Sequence, residues 1–315
     1  MQQTDKPSIS IIVGPTAVGK TDISIGVAKA LDGEIISADS AQVYRYMDIG
    51  TAKIKAEEMQ GVRHHMIDVA DPDQSFSVAQ FRNRCEQYIK DISARGKLPI
   101  VAGGTGLYIN SLLNNLEFTA SVGDESFRDE MQEIADNKGN EYLHAMLKDI
   151  DPDSYSRLHP NDVRRVIRAL EVYRFTGKTI SYFQEESRRA PEKYHYAFVG
   201  LTMDRQRLYD RIDLRVEKML AAGLIEEVKG LLNMGYDESL VSMQALGYKE
   251  ILQYLKGEIS YDEAVFVLKR DSRHYAKRQL TWFRRDQRIQ WFDVEEYADK
   301  EEIVKKITNY IAGKI

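Results

Sequence analysis

The chain has 315 residues, with 44 Lys+Arg against 49 Asp+Glu, a net charge of -5, 43% hydrophobic residues and a single cysteine. At about 150 residues per domain the length suggests two domains, or one α/β core with a large insertion, and the 30% charged fraction excludes collagenous, mucin-like and wholly disordered chains. Cys85 alone can form no intramolecular disulfide and no four-cysteine zinc site, so a reducing compartment is expected. The mild acidity means that a nucleic-acid partner needs a local basic surface.

The opening run, MQQTDKPSISIIV, is too short for a signal sequence and too polar to span a membrane, so a cytoplasmic protein with no membrane partner is expected. Ser8 to Val13 is a buried-strand candidate, and Ile23, Val27 and Leu31 mark the apolar stripe of the helix that follows. Glu34 to Ala38 and Leu98 to Ala102 read as further strands, the latter preceded by a helix over Val78 to Ala94. Strands separated by helices predict a parallel sheet with right-handed crossovers.

The character changes near Leu116. From there to about Tyr196 the chain is charged and helical in pattern, punctuated by Pro152, Pro160 and Pro191, with no strand until Ala197 to Thr202. This divides the chain into a first part of an α/β core (1–116), a helical insertion domain (117–196) and a return to the core with C-terminal helices (197–315). In the last part Leu208, Ile212, Val216 and Leu220 form a stripe ending at Gly223, a helix covers Tyr261 to Phe283, Ile289 to Phe292 is a short strand, and a final amphipathic helix closes the chain.

The strongest local motif is Gly14-Pro15-Thr16-Ala17-Val18-Gly19-Lys20-Thr21, set between a strand and a helix. It is the G-x-x-x-x-G-K-[ST] phosphate loop in its confirming context: glycines let backbone N–H groups turn toward phosphate oxygens, the helix N-terminus adds partial positive charge, Lys20 adds a point charge and Thr21 can ligate Mg²⁺. It binds a polyphosphate, which need not be ATP. A nucleotide hydrolase would carry an Asp at the tip of the third strand, but Gly103-Gly104-Thr105-Gly106 stands there, as suits a site that holds a leaving diphosphate. A plain turn is the equal alternative for the two glycines.

Asp39, in Ser37-Ala38-Asp39-Ser40-Ala41-Gln42, follows the second strand and faces the ligand crevice of a parallel sheet. It is the best general-base candidate and a possible indirect metal holder, with helix capping the bland alternative. Gln42 carries an amide suited to reading a base edge. Adjacent His64 and His65 do not make a zinc site, since neighbours on a strand point to opposite faces; His65 is the one expected to face the cleft.

GPTAVGKT, ISADSAQVY, GTAK, HHMID, GGTGLY, NDVRRVIRALEVYRFTGK, QALGYKE and YAKRQLTWFR, in that order, closely resemble the tRNA dimethylallyltransferase family from about residue 9 to residue 293. The resemblance implies an α/β fold, a P-loop NTPase-like parallel sheet core with a helical insertion domain and a helical C-terminal region. It implies Mg²⁺-dependent transfer of a dimethylallyl group from dimethylallyl diphosphate to N6 of the adenosine next to the anticodon, position 37 of the tRNA. By that resemblance Asp39, Thr105 and Arg215 are catalytic, and Gly14 to Thr21 bind diphosphate. Metal falls to Thr21 and Asp39. A chain ending at Ile315 is expected to resemble the bacterial or organellar members, without the zinc finger appended in some eukaryotic relatives.

Arg215 lies with Arg207 and Arg211 on one face of a helix, where a solvated basic stripe is the alternative. The tRNA anticodon stem-loop is expected to meet Asp39, Ser40, Ala41, Gln42 and Thr105 in the cleft. Around it the resemblance places Arg128, Arg164, Arg165, Arg168, Gln244, Gly247, Lys277 and Arg278. In Asn161 to Glu171 the inward stripe is Val163, Val166, Ile167 and Leu170, with Asn161 or Asp162 as cap; Arg164 replaces the family's usual Gln. The segment Lys269 to Arg288 supplies a second basic surface with Tyr275, Trp282 and Phe283 interleaved, the last two expected to pack in the core. A monomer is expected.

Overall fold

A computed structural model describes residues 6–114 and 124–315, in two compact units, Met1–Ile109 with Lys193–Ile315 and Asn110–Glu192. The expected boundary at 116/117 lies outside the described residues. The chain returns to the first unit at Lys193, earlier than residue 197, because the polar His195 and Tyr196 already pair with Ser8 and Ile9.

In chain order the elements are β1 (Ser8–Val13), α1 (Lys20–Ala30), β2 (Gly33–Ser37), β3 (His64–His65), α2 (Val78–Ala94), β4 (Leu98–Gly103) and α3 (Gly106–Leu113). The second unit carries α4 (Glu125–Lys138), α5 (Asn140–Ala145), α6 (Pro152–Arg157), α7 (Val163–Thr176) and α8 (Ile180–Arg189). The return comprises β5 (His195–Thr202), α9 (Arg205–Ala221), α10 (Leu224–Asn233), a 3₁₀ turn (Ser242–Gln244), α11 (Tyr248–Leu255), α12 (Tyr261–Phe283), β6 (Gln290–Asp293) and α13 (Lys300–Ala312).

The six strands among the described residues form one parallel sheet in the order β3-β2-β4-β1-β5-β6. The β-branched run of β1 is buried on both faces, as a central parallel strand requires. One face is covered by α1 through Ile23, Ile25 and Val27, with Ile303, Ile307 and Ile311 of α13 in the same core cluster. Helix α2 starts at a Ser77/Gln80 capping box and buries Phe81, Cys85, Ile89 and Ile92; α12 starts at a Ser260/Glu263 capping box. Strand succession changes direction on either side of β1, which puts the ligand crevice beyond the carboxyl ends of β1, β2 and β4. β3 is an edge strand of two residues, paired through Ile35 with His64 and Ile36 with His65, and too short to show a period.

The second unit packs α4, α5 and α7 around Met131, Ala135, Leu143, Leu147, Val166, Ile167 and Leu170, with Val163 at its margin. The expected cap of α7 is not made by a side chain: Asp162 holds the N-cap position without a capping bond and instead faces Arg165 at 3.4 Å, while Asn161 accepts from Asn140 at 3.2 Å. Among the described residues no helix is long and apolar enough to cross a membrane.

Candidate active site

The segment from Gly14 to Thr21 links β1 to α1. Gly19, with φ 103°, supplies the left-handed turn at the N-cap. Lys20 Nζ donates to the carbonyls of Gly14 at 2.9 Å and Pro15 at 2.7 Å, so the lysine closes the mouth of its own loop. Burial, reinforced by the charge of Arg215 and opposed by Asp39, pulls the Lys20 ammonium down to about 7. A polyphosphate beside it would favour the charged form.

The loop opens on a cavity of about 670 Å³ that also takes in Asp39, Ser40, Ala41, Gln42, Arg211, Arg215, Gln244, Tyr275 and Arg278, all in the first unit. Asp39 caps a turn, since no helix follows it: Oδ1 accepts from the N–H groups of Ala41 at 2.9 Å and Gln42 at 3.4 Å, whereas Oδ2 accepts no hydrogen bond among the described residues. Thr105 braces this turn. Its Oγ1 accepts from Ser40 N at 3.0 Å, its N–H donates to Ala38 O at 3.1 Å, and a Cβ on the preceding Gly103 would stand 2.2 Å from Ala38 O. Gly103 therefore lets the tips of β4 and β2 touch, while Gly104 faces the Gln279 side chain of α12. The Gln42 amide lines the cavity but is also bonded to the protein, accepting from Ser37 Oγ at 3.1 Å and donating to Thr51 O at 3.3 Å.

The arginine stripe of α9 divides. Arg207 pairs with Glu295 at 2.6 Å, while Arg211 and Arg215 line the cavity and make no ion pair among the described residues. Burial lowers the Arg215 pKa and Asp39 opposes that, which puts the two side chains in the same electrostatic field. The Lys269 to Arg288 segment narrows similarly: Lys269, Arg270, Arg273 and Arg288 pair with Glu217, Asp271, Asp213 and Asp286, leaving Lys277, Arg278, Arg284 and Arg285 exposed and without an ion pair among the described residues. Phe283 is buried as expected, but Trp282 is 41% exposed. Gln244 donates to Glu238 O at 2.6 Å, and Gly247 N–H donates to Glu250 at 2.8 Å.

His65 does not face the cleft as expected. His65 is buried, 2.7 Å from Glu34, while His64 lines a side cavity of about 60 Å³ with Lys20, Thr21 and Asp39. Pairing of β3 with β2 fixes that alternation. Two motifs without an assigned role are joined by Lys53, whose ammonium meets Asp48 at 2.5 Å and Asp68 at 2.6 Å.

Two clamps were not legible as site residues. Glu227 of α10 accepts from the N–H groups of Asp48, Ile49 and Gly50 at 3.0, 2.7 and 3.1 Å and from the Tyr248 hydroxyl at 2.7 Å. Gln279 of α12 accepts from Thr16 N at 2.8 Å and donates to Gly104 O at 3.0 Å. Each is a buried-side polar residue in an otherwise apolar helical stripe, between Leu224, Val228 and Leu231 for the first and Ala276 and Phe283 for the second. That misfit with helical patterning is the signal that would have found them.

In the second unit, Arg128 Nε donates to Glu171 at 2.7 Å, and Arg168 donates to the other oxygen of the same fully buried carboxylate. Arg164 is exposed and makes no ion pair among the described residues.

The family described as IPP transferase matches residues 42–286. The chain is 54% identical over 305 residues to the tRNA dimethylallyltransferase of Acetivibrio thermocellus, covering 97% of each, and 55% identical over 301 residues to that of Carboxydothermus hydrogenoformans, covering 96% and 95%. Among solved structures it is similar to the tRNA isopentenylpyrophosphate transferase of Bacillus halodurans (TM-score 0.74, 47% identity, 98% and 97% covered). It is also similar to a eukaryotic dimethylallyltransferase acting on tRNA (TM-score 0.81, 30% identity, 95% of this chain and 77% of that one). Matched along nearly its whole length by sequence and by fold, the chain belongs to the IPP transferase family of tRNA dimethylallyltransferases.

Proposed function

We propose that the chain transfers a dimethylallyl group from dimethylallyl diphosphate to N6 of the adenosine next to the anticodon, position 37 of the tRNA, and releases diphosphate. The observation that carries this reading is one cavity wall bearing Lys20, Thr21, Asp39 and Arg215 in a chain of this family. An exocyclic amine is a weak nucleophile, so a proton acceptor at Asp39 Oδ2 lowers the barrier as the new C–N bond forms. Negative charge grows on the bridging oxygen of the leaving diphosphate, opposite the N–H groups of the phosphate loop, Lys20 and Arg215. Thr105 acts through the Ser40 turn that it braces, by orienting Asp39.

Thr21 and Asp39 are hard oxygen donors on one cavity, a set that suits Mg²⁺, which takes one or two protein ligands and completes its shell with phosphate oxygens and water. Among the described residues no group of three or more His, Cys, Asp or Glu could hold a metal alone, in keeping with a cation shared with substrate. When bound, Mg²⁺ neutralises charge on the leaving group. The anticodon stem-loop meets Lys277 and Arg278 of α12, and Arg164 and Arg165 of α7, through its phosphates. The enzyme works in this reading as a cytoplasmic monomer.

The test is label transfer: purified protein with Mg²⁺ and either radiolabelled dimethylallyl diphosphate or [γ-³²P]ATP, offered tRNA or AMP. Label entering tRNA from the prenyl donor alone is expected. Phosphate transfer from ATP would make the protein a kinase, and prenylation of AMP would move the acceptor to free nucleotides.

A further inference from the structure

Gln279 spends its side chain on the protein's own backbone rather than offering it to a phosphate or to tRNA. Its side chain is 5% exposed, on the face of α12 where helical spacing calls for an apolar residue. Both ends of its amide are spent on backbone, Oε1 on the N–H of Thr16 at 2.8 Å and Nε2 on the carbonyl of Gly104 at 3.0 Å. Those partners sit in the two loops that follow β1 and β4, the walls between which a diphosphate has to lie. The Thr16 N–H is thereby turned to α12, and phosphate is left to the N–H groups further along the loop.

The fit leaves no slack. A Cβ on Gly104 would stand 2.1 Å from Gln279 Nε2, so the glycine is required by the amide itself. The carbonyl that Nε2 holds belongs to Gly104, next in the chain to the Thr105 that braces the Asp39 turn, so the same amide is tied to that turn.

We propose that Gln279 is a positioning residue of the donor site: its amide fixes the separation of the phosphate loop from the turn after β4, and so the aim of the loop N–H groups at the diphosphate. The inference rests on reading the loop as a diphosphate site. Two hydrogen bonds to backbone, one part-buried and one buried, each of which leaves a partner unsatisfied when the amide is removed, are enough to hold a loop in one conformation.

The test uses the full chain and inorganic diphosphate with Mg²⁺, read by calorimetry, beside steady-state kinetics at saturating tRNA. Gln279→Leu keeps the volume and removes both bonds; it is expected to weaken diphosphate binding and raise KM for the prenyl donor about tenfold or more, with tRNA affinity unchanged. Gly104→Ala is expected to do the same by displacing the amide. In a Gln279→Ala background, where the new methyl has room, it should add little. Wild-type diphosphate affinity in Gln279→Leu, or strictly additive losses in the double variant, would overturn the inference. Should Gln279→Leu fail to fold, Gln279→Glu retains the acceptor for Thr16 and is expected to show an intermediate loss; unchanged affinity there is equally fatal. A wild-type protein that binds diphosphate but prenylates no tRNA defeats the functional reading instead, and the diphosphate affinities still decide the role of Gln279.

Discussion

Positive charge is handled in opposite ways in the cleft of the first unit and on helix α7 of the second. Arg211 and Arg215 line the cavity with no ion pair among the described residues, and Lys20 is held only by carbonyls of its own loop. On α7, Arg168 shares the buried Glu171 with Arg128, and Arg165 faces Asp162. For Lys20 and Arg215, partly buried and without a carboxylate bonded to them, the charged form is unfavourable until an anion arrives; Arg211 is exposed. A cation already neutralised by a buried carboxylate serves the fold first. Arg215 of α9 and Arg168 of α7 are therefore not equivalent candidates for an anionic ligand, although the sequence shows them as equal.

The cleft side of this comparison breaks most sharply at Asp39, the carboxylate that faces Lys20 and Arg215. Asp39→Ala is expected to slow single-turnover prenyl transfer by about 10²–10⁴-fold while tRNA binding stays near wild type. Wild-type single-turnover rates would leave Asp39 as a turn cap alone, held by its bonds to Ala41 and Gln42.

On the other side, the arginines held by the buried Glu171 and the exposed ones, Arg164 and Arg165, should separate by measurement. Glu171→Gln leaves two guanidinium groups without their shared charge and is expected to destabilise the second unit by about 1–3 kcal/mol, a buried-pair loss discounted because both arginines reach solvent. Arg164→Ala and Arg165→Ala should leave thermal unfolding almost unmoved. Each should instead flatten the dependence of log affinity for tRNA on log salt by about 0.7–0.9 if it meets one phosphate. An unchanged slope in both would take α7 out of the phosphate-binding surface.

The legible parts of the molecule were those whose information is local. The phosphate loop, β1, α1, the capped helices α2 and α12 and the inward face of α7 each follow from residues within a few positions of one another. What escaped depends on distant partners: Gln279 meets Thr16 across 263 residues, and Glu227 meets Gly50 across 177. No spacing rule reaches that far. The basic tally of the C-terminal segment misled for the same reason, because Asp213 and Glu217, which neutralise Arg273 and Lys269, lie on another helix. The facing of His65 is not legible in the sequence because a two-residue strand has no period, and only its register with Ile35 and Ile36 decides which ring turns inward.

Glu34 offers the mildest test of the idea that paired charges serve the fold. Its carboxylate is buried beneath the sheet edge, 2.7 Å from His65 and 2.6 Å from Arg95. Burial alone would raise its pKa; the hydrogen bonds from His65 and Arg95 outweigh burial and hold it below the ordinary carboxylate value. The sign of the linkage follows. Between the folded and unfolded pKa the unfolded chain binds the extra proton, so stability rises with pH across that interval, is fully present above the unfolded value of about 4.3, and is lost as pH falls through the folded one. Glu34→Gln should therefore flatten the acid limb of the stability curve, measured by urea unfolding from pH 6 downward, and leave donor kinetics at neutral pH unchanged, since none of the three groups lines the large cavity. A variant with the full acid dependence of the wild type would place the titrating carboxylate elsewhere. A variant with altered donor affinity would mean that this ion cluster reaches the cleft, and that paired and unpaired charges are not separable in the way α7 and α9 suggest.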